Sequence, residues 1–389
     1  MELNIKTSSL EEILSHKTMY YDKIDFSIVK KSWQILSKFI KIPYLIHIVG
    51  TNGKGSTGRL LSHYLVKNGY KTLHYSSPHI LKFNERIWIN GRDSLDFELN
   101  FANKKLQHYL TTPLLEKLTY FEYTTLLSLV LSDGLDFLVF EAGLGGEFDA
   151  TNVVPSQQTL VTTIDLDHQD FLGDSIEKIA KTKMRSADNK ILIGYQIHNE
   201  VYSTAIKVKE ELKKEFDRDI EIISVKEFDK YRLNKKFPEF INRNLALVVE
   251  SLKQLNIKID LSLFEDIKLF GRCQKIASNI TIDVGHNPLA AKVLVKEFEE
   301  KKVHLIYNSY KDKDYKSVLE ILKPIISKLT ICKIVNKRIA DENNLLEICK
   351  NLNIIVSTYD SIKADEEYLV FGSFSVVENF LKNMSVDER

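Results

Sequence analysis

The 389-residue chain is 44% hydrophobic and 28% charged, with a formal net charge of +1, so it can bury more than one core but sets up no long-range field for nucleic acid or an anionic membrane. No apolar run approaches the roughly 18 residues of a membrane span, and the start at Met1 to Lys6 lacks the basic and apolar regions of a signal peptide. The cysteines Cys273, Cys332 and Cys349 are widely spaced and odd in number, fit neither a disulfide framework nor a zinc site, and read as buried thiols of a cytoplasmic protein.

In chain order, residues 1–40 look helical, and Asp25 to Leu36 carries apolar residues at three-and-four spacing. Tyr44 to Val49 is a short, mostly apolar and β-branched run that predicts a buried parallel strand. It stops at Gly50, and Ser56 to Lys67 reads as a helix. Lys71 to Tyr75 predicts a second strand; Phe83 to Gly91 alternates and ends on Asn-Gly, as an edge strand or hairpin does. Helical patterns at 95–110 and 119–132 lead to a strand from Asp136 that breaks into glycine by Gly146, then to a strand over 160–164. A helix near 175–187, a strand at 191–194, a helix rich in lysine and glutamate at 205–216 and another helix at 239–255 complete the first half. The rest of 196–240 is charge-rich and carries little pattern. A composition shift at 268–273 reads as a hinge, after which strand patterns recur at 280–285, 303–307, 329–335 and 369–372. Strands alternating with helices predict an α/β fold built on parallel, doubly wound sheets, with sites at the carboxyl ends of strands.

The stretch after the first strand carries the chemistry. Gly50, Gly53 and Gly55 let the backbone turn tightly, so that N–H groups point at an anion from the start of a helix. Lys54 offers a charge to outer phosphates, and Ser56 or Thr57 an oxygen to a magnesium ion. The spacing is not that of the usual P-loop: only Thr51 and Asn52 separate Gly50 from Gly53, and Gly55 precedes Ser56. A plain glycine-rich turn is the alternative. Ser77, Glu141 and His168 each follow or end a predicted strand, and serine, glutamate and histidine near a triphosphate suit a magnesium ion that keeps some waters. Taken singly, Ser77 is also ordinary turn chemistry, Glu141 a solvated strand end, and His168 a surface histidine among acids.

These motifs fall in an order that resembles the folylpolyglutamate synthase/dihydrofolate synthase family, a branch of the ATP-dependent Mur ligases. The matching segments are 50–57, 76–87, 118–125, 141–152, Asp167-His168, 179–183, Gly271-Arg272, 283–288, 311–314 and Gly372-Ser373. The resemblance implies a P-loop-like, mostly parallel sheet domain that binds ATP (1–268) and a smaller Rossmann-like α/β domain (269–389). It implies ligation of L-glutamate to dihydropteroate or to a reduced folate through an acyl phosphate, with release of ADP and phosphate. Carried over by motif, Thr51, Asn52, Gly53, Lys54, Gly55, Ser56 and Thr57 cradle the phosphates. Asn244, Arg272, Asp283 and His286 contact the nucleotide. Ser77, Glu141 and His168 hold magnesium, two ions in all. Thr119, Tyr120, Phe121, Glu122, Phe148, Asp149 and Ala150 meet the pterin-bearing substrate. Lys54, His168 and Lys183 are the catalytic set, Lys183 matching a lysine that the family carries in carbamylated form; without the resemblance it reads as a solvent lysine on its helix. The chain is expected to act as a cytoplasmic monomer with no nucleic-acid or membrane partner.

The chain departs from the pattern at three places. Glu147 stands where the family often has arginine, Thr182-Lys183-Met184-Arg185 stands where it usually has Glu-Lys-Ala-Gly, and Ile241 replaces a glutamine. Two other functions remain open at this point. One is another Mur-type amino-acid ligase, disfavoured by the 119–122 segment and by the lack of an added nucleotide-sugar domain. The other is a nucleotide-gated switch.

Overall fold

The structure, a computed structural model, describes residues 4–19, 25–228, 230–231, 237–299, 301–358 and 361–387. Parts of the stretches read above as an N-terminal helical region and a charge-rich segment (1–3, 20–24, 229 and 232–236) lie outside the described residues. The chain divides into two compact units, Met1–Ile267 and Lys268–Arg389.

The first unit is built on an eight-stranded sheet. Its strands are β1 (Tyr44–Val49), β2 (Thr72–Tyr75), β3 (Ile87–Ile89), β4 (Arg92–Asp93), β5 (Phe137–Glu141), β6 (Gln158–Val161), β7 (Lys190–Ile193) and β8 (Glu221–Ser224). The order is β4-β3-β2-β5-β1-β6-β7-β8, so β1 sits inside the sheet with β5 and β6 as its neighbours. Those pairings are parallel, and only the β2–β3–β4 edge is antiparallel. Leu45, Ile46, Ile48 and Val49 are all fully buried, as a strand covered on both faces requires. Helices Lys54–Lys67 and Glu239–Gln254 cover one face. On the other, Ile179 and Met184 of helix Ile176–Met184 share a core with Val49 and Val161, alongside helix Glu200–Phe216.

The second unit has a five-stranded sheet of β9 (Gln274–Ala277), β10 (Ile280–Asp283), β11 (Val303–Tyr307), β12 (Ile326–Ile331) and β13 (Tyr368–Phe371), ordered β12-β11-β13-β10-β9. Only β9 runs antiparallel. Leu305, Leu329, Leu369 and Phe371 build its own core.

The structure revises several expectations. Among the described residues, the N-terminal stretch expected to be helical holds two helices, Leu10–His16 and Ser27–Leu36. The strand expected at 160–164 begins at Gln158 and ends at Val161; Thr162 N still donates to Val49 O, and Thr163 O turns to accept the Thr51 and Asn52 amides of the glycine turn. Phe83 to Gly91 opens as a 3-10 turn before its strand. The second-half strand expected at 329–335 runs from 326 to 331. Cys332 and Cys349 are buried, but Cys273 is only partly so. Among the described residues no helix is long and apolar enough to cross a membrane.

Candidate active site

The chain leaves β1 through Gly50, at φ +148°, where a side chain would strike the Thr162 hydroxyl. Gly53, at φ +91°, caps the helix that starts at Lys54; both conformations favour glycine. A Cβ on Gly53 would come 2.9 Å from the Asn244 amide oxygen, so the bare glycine is what lets Asn244 lie against the loop. The amides of Thr51 and Asn52 donate to the Thr163 carbonyl at 3.0 and 3.1 Å, and the Thr51 hydroxyl donates to the Asp165 carbonyl at 2.9 Å. These two residues therefore brace the turn. The first helical turn, Lys54 to Ser56, supplies the N–H groups that have no acceptor inside the helix.

Two lysines meet at one carbonyl. Lys54 Nζ donates to Gly50 O at 3.1 Å, and Lys183 Nζ donates to the same oxygen at 3.0 Å. They come from helices packed on opposite faces of the sheet. Lys183 is only 4% exposed, which removes the solvent-lysine reading. Burial, reinforced by the Lys54 charge and opposed by Asp167 and Asp149, lowers its ammonium to about 7.

Beside them, Ser56 Oγ, Thr57 Oγ1 and Asn244 Nδ2 are buried without a hydrogen-bond partner. Buried polar atoms are ordinarily paired, and three unpaired ones around a helix start fit an oxyanion with its cation. Glu141, the last residue of β5, is 5% exposed and sits in register beside Ile48, two residues before Gly50. It is not the solvated strand end that its position alone allowed. His168 caps a short helix in the left-handed region at φ +50°, its ring 3.8 Å from the Asp167 carboxylate. Ser77 lies just past β2 and is partly exposed. Among the described residues no three histidine, cysteine or acidic side chains form a closed metal cage. Of the three expected ligands Ser77 and Glu141 offer oxygen, the donor magnesium prefers, and phosphate or water would have to supply the rest of its shell.

The residues expected to meet the pterin-bearing substrate divide in two. Glu122 Oε2 accepts from the Thr119 amide and hydroxyl, both at 2.9 Å, and the Thr119 hydroxyl accepts in turn from Glu122 N. That is the capping box of helix Tyr120–Leu131. Asp149 is buried, taking the Thr151 amide and hydroxyl on one oxygen and Leu144 N at 2.7 Å on the other. It shapes the glycine loop, and Ala150 is buried beside it. The aromatic members remain open: Tyr120 and Phe121 are half-buried, and Phe148 is exposed. Phe121 packs on Gly143, where a side chain would collide with its ring. The sequence reading gave no role to Arg86, which is buried, lies 5.2 Å above the Tyr120 ring and donates to His79 Nδ1 at 2.8 Å. An arginine inside the alternating run Phe83 to Gly91 was the available signal.

In the second unit, Asp283 ends β10 and accepts from Cys273 N at 2.8 Å and Gly285 N at 2.7 Å. Burial raises its carboxyl, against the pull of Arg272. The Arg272 guanidinium lies 5.4 Å from the Phe374 ring, and His286 is partly exposed in the turn that precedes helix Pro288–Glu297.

Comparison with known proteins agrees with this geometry. The dihydrofolate synthase/folylpolyglutamate synthase of Haemophilus influenzae is 31% identical over 96% of this chain and 97% of its own length. The structure of Helicobacter pylori folylpolyglutamate synthetase matches with a TM-score of 0.76 at 34% identity, covering 97% of this chain and 98% of that one. The E. coli FolC in complex with DHPP and ADP matches with a TM-score of 0.81 at 25% identity over 99% of both chains. No family model matches. A glycine turn, two lysines and unpaired hydroxyls at the carboxyl edge of a parallel sheet make a phosphate-binding turn, and the relatives place it in the class of ATP-dependent ligases. The chain belongs to the dihydrofolate synthase/folylpolyglutamate synthase family.

Proposed function

We propose that the protein phosphorylates the carboxylate of dihydropteroate or of a reduced folate with ATP and then joins it to the amine of L-glutamate, releasing ADP and phosphate. A carboxylate is a poor electrophile at neutral pH, and phosphorylation gives it a leaving group. The protein's part is positioning and charge neutralisation. The observation that carries the reading is the pair of lysines on Gly50 O beside the unpaired Ser56 and Thr57 hydroxyls. Relatives support the substrates: one FolC structure holds DHPP and ADP.

The Lys54 to Ser56 amides and Lys54 take the phosphates, and Asn244, whose Nδ2 is unpaired beside Gly53, takes the nucleotide. Arg272 and His286 offer further nucleotide contacts, with Asp283 holding their loop. Ser77, Glu141 and His168, with the Ser56 or Thr57 hydroxyl, would hold magnesium, two ions in all, which neutralise phosphate charge when bound. Tyr120, Phe121 and Phe148 offer apolar faces to the pterin. Lys183 can lose its proton near neutrality, and only a neutral amine adds to carbon dioxide, so carbamylation there is chemically open. We expect both glutamate additions, a monomer and a cytoplasmic location.

Phosphate release tests the reading. A ligase needs a pterin acceptor and glutamate together for fast turnover, whereas a nucleotide switch is indifferent to both. Lys54→Ala is expected to lower turnover by 10²-fold or more, since it removes a charge facing the transferred phosphoryl group. Near-wild-type turnover in that variant would refute the phosphate cradle.

A further inference from the structure

One arginine links the glycine loop to two helices. Arg185 Nε lies 2.9 Å from Glu147 Oε1. The same guanidinium donates to Glu211 at 3.0 Å and Glu215 at 2.7 Å, and its side chain is only 10% exposed. Glu211 and Glu215 belong to helix Glu200–Phe216, so Arg185 ties three segments together. A planar fork with five donors can do this, and an ammonium cannot hold the same geometry.

The contacts around the pair show what it holds. Glu147 N donates to Thr182 O at 2.9 Å. Gly146 lies so close to the Lys183 carbonyl that a Cβ there would overlap it, and Gly145 faces Leu172 and Thr182. The glycine loop is thus laid along the last turn of helix Ile176–Met184, the turn that presents Lys183 to Gly50 O. The backbone contacts hold one side of that turn. The Glu147–Arg185 pair closes it from the side-chain direction.

We propose that Glu147 and Arg185 are positioning residues, a clamp that fixes the glycine loop to the end of its helix and so holds Lys183 at the phosphate turn. This rests on the ligase reading for its effect on turnover, but its effect on Lys183 does not.

The test uses the full-length protein and Glu147→Gln, which removes the loop arm and leaves Glu211 and Glu215 on Arg185. Glu215→Gln, on the half-exposed side, serves as the control. Competitive acetylation with acetic anhydride and peptide mass spectrometry reads Lys183 directly. In Glu147→Gln, Lys183 is expected to react about tenfold faster, and kcat to fall about tenfold with KM for ATP within twofold, since small misplacements at such sites are costly. In Glu215→Gln both stay near wild type. Glu147→Asp, which keeps the charge on a shorter arm, is expected to recover part of the kcat, and it replaces Glu147→Gln if that variant does not fold. Unchanged Lys183 labelling overturns the clamp, as does faster labelling with wild-type kcat. If the unmutated protein shows no acceptor- and glutamate-dependent turnover, the ligase reading fails, and labelling alone decides whether the pair holds Lys183.

Discussion

Burial holds the Lys183 ammonium near 7, while in an unfolded chain it titrates near the ordinary lysine value. Between those two values the unfolded state binds the extra proton, so folding stability rises as pH climbs from about 7 toward 10. Below 7 both states are protonated, and the folded one bears the desolvation cost. Lys183→Met is therefore expected to be more stable than the unmutated protein at pH 6, by roughly 5 °C in Tm, with the gap closing toward pH 10. Thermal melts across that range check it; a gap independent of pH would mean that the lysine is solvated. This burial was not legible in the sequence, where a lysine on a charged amphipathic helix is ordinarily a solvent residue. Lys54 and Ser56 were legible because their glycine context fixes what the backbone does. The structural roles of Thr119, Glu122 and Asp149 were not legible for a physical reason: a cap or loop-shaping residue and a ligand contact use the same atoms, and only the partners show the first role.

At the level of elements, the buried strands were readable and the exposed ones were not. β1 matches its expected span because both its faces are apolar. β8, at the sheet edge, has an exposed glutamate and three half-buried residues, and β9 alternates half-buried with exposed. Neither offers the apolar run or clean pattern that marks a strand. The loop-to-helix contact at Gly146 makes a prediction of its own. Gly146→Ala drives a methyl into the Lys183 carbonyl, a backbone atom that cannot rotate away, and overpacking of that kind costs about 1–3 kcal/mol. Urea unfolding measures the loss, and turnover should fall with it. A neutral result would mean that the loop and helix separate more easily than their contact implies.

Over the whole molecule, each unit has its own core, one centred on residues such as Leu138 and Phe140, the other on Leu305 and Leu369. Separate cores melt as separate transitions when little couples them. Leu305→Ala is expected to lower one calorimetric transition by the equivalent of about 2–5 kcal/mol and leave the other in place; a single transition moving as one would show the units to be cooperative. The shared Gly50 carbonyl has a thermodynamic signature as well. An arriving polyanion favours the charged form of any amine beside it, so nucleotide capture near pH 8 should draw up to about one proton out of the surrounding buffer. Titration calorimetry in carbon-dioxide-free solutions that differ in ionisation heat would then give apparent enthalpies on a rising line, and Lys183→Met would flatten it. The protein would take up its ligand more readily as its surroundings acidify slightly.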